Sequence, residues 1–301
     1  MHPRPLLAAI GTAFTLISAQ ASATQPASLS PAQIIQERIS VTVEGSGPDV
    51  ILIPGLASSR EVWRDLATRL QHSHRLHLVQ VAGFAGAPAV SDPDGKVAAP
   101  TAEAIAAYIR TRHLKAPVII GHSLGGEVAL MLGARHPDLV ARLMIVDALP
   151  FYTLIMDPSA TRETAAPHAA ALRDALLASP PEQAEALQRA AIARLVKSEA
   201  ARPVLLAAAM GSDRQTTAEA TYELMTTDLR PELDRIQVPV EVVYAYDPIY
   251  GIPAANVEAT FRNAYATTPN ISFKRIDASF HFVMLDQPEA FANAVSAFLQ
   301  P

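Results

Sequence analysis

Cysteine is absent from the 301 residues, so no disulfide can hold this fold together. That absence fits an oxidising compartment without requiring one. Charge is scarce as well: 18% of the chain is charged against 50% hydrophobic, a balance that excludes disorder beyond the ends and allows one large core, alone or with a smaller appendage. An excess of positive charge is also missing. The formal charge is -5, and Arg4 is the only charged residue before Thr24, so a chain starting at Thr24 carries 23 basic and 29 acidic residues, or -6. Nucleic acid is therefore not expected as a partner. Outside the N-terminus no apolar run is long enough to span a membrane, and no internal repeat is evident.

What the N-terminus does have is the pattern of an export signal. Arg4 precedes the apolar run Leu6 to Ile17, and Ala21-Ser22-Ala23 follows as an Ala-x-Ala site. The run is shorter than the ~20 residues a spanning helix needs. Residues 1–23 are expected to be removed by cleavage after Ala23, leaving an exported, periplasmic or secreted protein with no stable membrane insertion. The polar stretch that follows makes 24–36 a flexible leader.

Further on, apolar β-branched runs alternate with helix-forming ones. Ile39 to Val43, Val50 to Ile53, Leu76 to Val81, Val118 to Ile120, Leu143 to Val146, Val240 to Tyr246 and Ser272 to Ile276 predict strands. Helices are expected from Ser58 or Ser59 to about Leu70, from Thr101, from Glu127 to Ala134, and from Pro288 to Leu299. Strand and helix repeated in this way predict an α/β fold, a mostly parallel central sheet with helices on both faces. From about Pro150 to Pro231 the strands stop, and an alanine-rich, helix-forming stretch takes over. Residues 150–231 are thus expected to form a helical lid inserted into a core made of 37–149 and 232–301. The insertion begins after a strand's C-terminal end, and ligands of open parallel sheets bind outside those ends.

The chemistry concentrates in Gly121-His122-Ser123-Leu124-Gly125-Gly126, directly after the apolar run that ends at Ile120. A serine between two glycines in a strand-to-helix turn takes a strained backbone conformation, and the glycines let strand and helix pass closely. By itself the pattern also fits an ordinary loop serine capping a helix. The strand before it and the helix after it favour a nucleophile.

Together with Ile51-Leu52-Ile53-Pro54-Gly55-Leu56, Tyr244-Ala245-Tyr246-Asp247, and Phe280-His281-Phe282 with Pro288-Glu289 downstream, this motif resembles the α/β-hydrolase fold superfamily. The likeness covers almost the whole mature chain and is closest to compact, lidded, serine-esterase-like members. It implies a chain order of serine, acid, histidine, and His281 is the only histidine after Asp247. The resemblance therefore implies Ser123 as nucleophile, His281 as general base and Asp247, after a strand and before Pro248, as the acid. Asp147, at the end of the preceding strand, holds a station that some relatives use instead. Asp277 is read as a turn former. The backbone N–H groups of Leu56 and Leu124 are implied as the oxyanion hole, although Pro54 stands where many relatives have histidine.

The function this implies is hydrolysis of a carboxylic ester of a small, apolar molecule through an acyl-enzyme, with no cofactor. A lactonase, a carbon–carbon bond hydrolase, a perhydrolase or a non-catalytic small-molecule binder on the same scaffold stay open. His72, His74 and His77 straddle a helix end and a strand start with no cysteine or carboxylate set beside them, so no metal is expected. His122, next to the nucleophile, is read as structural. Oligomeric state is not legible.

Overall fold

A computed structural model describes residues 30–90, 92 and 94–300. The expected signal, residues 1–23, lies outside them. Residues 31–36, expected within the flexible leader, belong instead to helix α1 (Pro31–Arg38), whose first turn is capped by the Ser30 hydroxyl in a reciprocal box with Gln33.

Seven strands follow: β1 (Ile39–Gly45), β2 (Asp49–Ile53), β3 (Arg75–Val81), β4 (Val118–His122), β5 (Arg142–Val146), β6 (Val240–Tyr246) and β7 (Ile271–Asp277). They form one sheet in the order β1-β3-β2-β4-β5-β6-β7, and only β1 runs antiparallel to its neighbour. The central strands read as unbroken apolar runs because both of their faces are covered. Ile51, Ile53, Ile119, Leu143 and Ile145 enter one core, whereas Leu52, Ile120, Met144 and Val146 enter the other.

Helices supply the two covers. On the first face lie α3 (Ala98–Thr111), α4 (Leu124–Arg135) and α9 (Ala254–Ala264). On the second lie a 3-10 turn (Arg60–Trp63), α2 (Arg64–Leu70), α10 (Val283–Asp286) and α11 (Pro288–Phe298), packed around Trp63, whose ring stacks on Phe291 at 6.1 Å. The helix expected from Thr101 begins three residues earlier, at Ala98.

Between β5 and β6 the described chain holds no strand. A 3-10 turn (Tyr152–Ile155) leads to α5 (Arg162–Ala178), α6 (Pro181–Leu195), α7 (Arg202–Met210) and α8 (Arg214–Thr226). These helices pair as α5 with α8 and α6 with α7. The first pair buries Ala165, Ala220 and Leu224 in the core of one sheet face. The second contributes Ile192, Val196 and Leu205 to the core of the other. The insertion therefore straddles the edge of the sheet at the strands' C-terminal ends.

Two buried glutamates mark the seam between insertion and core. Glu223 on α8 accepts hydrogen bonds from the N–H groups of Ala98 and Ala99 at 2.8 and 3.1 Å, satisfying the open amides at the start of α3. Glu127 on α4 is 2% exposed, and neither of its carboxyl oxygens makes a hydrogen bond of good geometry among the described residues, although the Thr227 hydroxyl lies near enough to oppose part of the rise in its pKa. Burial, and then the charge of Glu223, push its pKa well above the ordinary 4.5. In the folded state Glu127 therefore keeps its proton at pH values where the unfolded chain has lost it. Stability contributed by this group is fully present below pH 4.5 and falls as pH rises, by up to about 1.4 kcal/mol per unit, until the folded-state pKa is passed. Glu127→Gln removes that dependence. Thermal melts should show a higher Tm for the variant than for wild type at pH 8, with the difference shrinking towards pH 4; equal differences at both would contradict the assignment.

Candidate active site

Ser123 sits where β4 ends and α4 begins, at φ 53° and ψ -122°, a left-handed region that a residue with a Cβ rarely adopts. The turn persists because its surroundings fix it. The Ser123 N–H donates to the Val146 carbonyl at 3.0 Å, and its own carbonyl accepts from Gly126 N at 2.7 Å. Strand and helix leave no room for side chains at this crossing: a Cβ on Gly121 would overlap the Gly125 carbonyl oxygen, and one on Gly125 would overlap the Ile53 carbonyl. Glycine at 121 and 125 is thus required by space.

The loop after β2 closes against the same point. A Cβ on Gly55 would lie 3.0 Å from Ser123 Cβ and 3.1 Å from His122 Nδ1, so the Gly55-Leu56 backbone runs alongside the serine. Leu124 is the first residue of α4, where the N–H has no intrahelical partner. Leu56 and Leu124, whose amides are expected as oxyanion donors, follow directly on Gly55 and Ser123 at this approach.

His281 occupies the loop between β7 and α10 and lines the same cavity as Ser123. Its Nδ1 lies 2.7 Å from Asp147 Oδ2, and since a carboxylate only accepts, the ring donates from Nδ1. Nε2 is then the acceptor. Asp147 stands directly after β5, at φ 47°. Its N–H donates to Val243 O at 2.7 Å, and its other carboxylate oxygen accepts from Ala245 N at 2.9 Å. Backbone of β6 thus holds Asp147 at two points, its main-chain N–H through Val243 and its carboxylate through Ala245.

The expectation that Asp247 orients His281 is not met by this geometry. Asp247 is turned to the insertion, where it pairs with the Lys197 ammonium and accepts from Ile249 N at 2.9 Å. The lysine first, and the Ile249 N–H second, hold its carboxyl below the usual carboxylate range. Nearby, Asp286 accepts from Lys197 N, Ser198 N and Phe280 N at 2.9, 2.9 and 2.8 Å. Asp247 ties the end of α6 to the turn after β6, and Asp286 ties it to the loop that carries His281. Asp277, read as a turn former, pairs with Arg275 at 2.7 Å.

His122 has more to do than its sequence position suggests. Wholly buried, it approaches the His281 ring to 4.5 Å between centroids and donates from Nε2 to the His281 carbonyl at 3.0 Å. Burial, then the neighbouring His281, depress its pKa well below 6.5, so it is a neutral tether from β4 to the His281 loop. Sequence offered no signal for this bond, which spans 159 residues. Among the described residues no cluster of three potential ligands could hold a metal ion. His77, one of the three histidines weighed for that role, is bonded to Asp49 and Tyr108, each at 2.9 Å.

The cavity has a volume of about 460 Å³. Its walls are mostly apolar, with Leu149, Leu224, Val257 and Phe261 beside Ser123 and His281, and Asn256 and Thr260 among the polar residues of the lining.

A seven-stranded sheet of this order, with a serine turn and an aspartate–histidine pair at its C-terminal edge, defines an α/β hydrolase. The family model described as "Alpha/beta hydrolase family" matches residues 50–294, and the chain belongs to that family. It is an enzyme, a hydrolase. Among curated proteins it is similar to the pimeloyl-[acyl-carrier protein] methyl ester esterase of Aromatoleum aromaticum, at 28% identity over 260 residues, 80% of this chain and 94% of that one. The Vibrio atlanticus protein of the same name is 24% identical over 268 residues, covering 86% and 96%. Solved structures with the same fold include the enol-lactonase from Burkholderia xenovorans, TM-score 0.70 at 18% identity, covering 87% and 96%. A thermophilic esterase from Thermogutta terrifontis matches with TM-score 0.69 at 20% identity, covering 87% and 92%.

The packing at the serine turn makes one prediction. In Gly125→Ala the new methyl meets the Ile53 carbonyl, a backbone atom that cannot swing aside, so the loss of stability should be at least the ~3 kcal/mol at the upper end of ordinary overpacking. Urea unfolding checks this, and a loss below about 1 kcal/mol would contradict the close crossing.

Proposed function

We propose that the protein is a serine hydrolase that cleaves carboxylic esters of small, apolar molecules through an acyl-enzyme. The observation that carries this reading is the 2.7 Å hydrogen bond from His281 to Asp147, in one cavity with a serine held in a strained turn. A serine hydroxyl is a poor nucleophile at neutral pH and needs a base that is itself oriented. With Nδ1–H committed to Asp147, His281 presents Nε2 to take the proton of Ser123 Oγ. The oxygen attacks the ester carbonyl, and the N–H groups of Leu56 and Leu124 hold the negative charge that develops. His281 returns its proton to the leaving alcohol, then deprotonates the water that releases the acid. Asp147 keeps the imidazole in the productive tautomer and stabilises the imidazolium between the two transfers.

Relatives named as methyl ester esterases support the ester as substrate, and the apolar walls of the cavity support an apolar group upon it. Export after cleavage near Ala23 belongs to the same proposal and rests on the N-terminal sequence. In this account Asp247 fastens the insertion and takes no part in proton transfer.

A fluorophosphonate probe should label wild type and leave folded Ser123→Ala unlabelled; a folded wild type that does not label would favour a binder over an enzyme. On a p-nitrophenyl ester, Asp147→Asn should lower kcat by about 10⁴-fold, the cost of the wrong imidazole tautomer. Asp247→Asn should change kcat by less than about tenfold, well short of the loss of a triad member. The reverse ranking would return Asp247 to the triad.

A further inference from the structure

The cavity that reaches Ser123 continues onto the protein surface. Of the twelve large apolar side chains that are exposed among the described residues, five line this one cavity: Tyr152, Ile155, Leu195, Tyr250 and Ile252. Their chain neighbours Met156 and Ile249 are exposed as well. Single exposed apolar residues are ordinary, but a cluster at the mouth of a cavity marks surface that something covers.

Three segments supply the rim: the turn after β5, the end of α6 with Leu195, and the stretch after β6. The first and last bring Ile155 at 63% exposure and Ile252 at 49% to the same opening. Two of the three tyrosine hydroxyls there are engaged by backbone: Tyr250 donates to Arg194 O at 3.4 Å, and Tyr246 to Ile252 O at 3.3 Å. What these residues offer the cavity is ring surface. Apart from Asp147 and His281, which are bonded to each other, Arg194 is the one charged residue along the lining, and it is exposed. From Leu224, Val257 and Phe261 outward to Ile155 and Ile252 there is thus an uncharged track, continuous with the reacting serine.

We infer that the substrate is an ester with one long apolar arm, its inner part covered by Leu224, Val257 and Phe261 and its outer part laid on the exposed mouth residues Ile155, Tyr250 and Ile252. The inference rests on the reading of Ser123 as nucleophile and narrows its substrate class. A methylene taken wholly out of water is worth about fourfold in affinity, and one covered on a single side by the rim about twofold. Specificity should therefore keep rising with arm length beyond what the cavity encloses.

The test uses two matched ester series, methyl esters of fatty acids and acetates of fatty alcohols, with arms of two to twelve carbons, all below the concentration at which they aggregate. In at least one series kcat/KM should rise with each added carbon. In the double variant Ile155→Ser with Ile252→Ser, the ratio of kcat/KM for the ten-carbon to the two-carbon arm should fall about tenfold, the product of several half-covered methylenes. Both series flat, a ratio unmoved by the double variant, or a rise confined to aggregated substrate would overturn the inference. If the two-carbon esters are turned over by wild type and not by Ser123→Ala while both series stay flat, only this inference fails. If no ester is turned over and no fluorophosphonate label is taken, the hydrolase reading fails and takes this inference with it.

Discussion

The rest of the site depends on one close approach of backbone to backbone, where the end of β4 passes the first turn of α4. With no Cβ at Gly121 or Gly125, the strand and helix sit in contact, and Ser123 between them has no relaxed conformation to take. Its left-handed backbone holds the serine at the C-terminal edge of the sheet and leaves the Leu124 amide free at the helix start. Gly55 brings the loop after β2 against the same spot. A strained turn of this kind costs on the order of 1–3 kcal/mol, and here apolar strands buried on both faces offset that cost.

Around that turn the histidine is held from two directions. Asp147 bonds its ring from the end of β5, and His122 bonds its backbone carbonyl from the end of β4. Both anchors lie on strands adjacent to the serine, so a shift of the His281 loop would break bonds to the rigid sheet. Asp147 is itself fixed by backbone of β6, which pairs with β5: its carboxylate accepts from Ala245 N and its N–H donates to Val243 O. Asp247, one strand further out, serves a different joint: it fastens Lys197 to the turn after β6, while Asp286 ties Lys197 and Ser198 to the histidine loop. The tie to the insertion and the histidine bonded to Asp147 thus share the segment from Phe280 to Asp286.

The sheet and the serine turn were legible in the sequence because their causes are local. Apolar β-branched runs bounded by turn residues mark β2 to β6, and a glycine two positions either side of a serine announces a close crossing. The histidine followed from chain order alone. The acid did not, because Asp147 and Asp247 both stand at the C-terminal end of a strand and nothing within a few residues separates them. Lys197 decides between them, and it reaches Asp247 across 50 residues of chain. The same distance rule hid the His122 bond and the pairing of the inserted helices across both faces of the sheet. The first turn of α1 is hidden for another reason: its Ser30–Gln33 capping box lies inside a stretch whose polar composition suits a tether equally well.

The most direct test of this account is which aspartate holds His281. A proton bridging imidazole Nδ1 and a carboxylate gives a resolved resonance far downfield in the proton NMR spectrum of a folded protein. Wild type and Asp247→Asn should both show it, and Asp147→Asn should not. A resonance that survives in Asp147→Asn and disappears in Asp247→Asn would contradict the account.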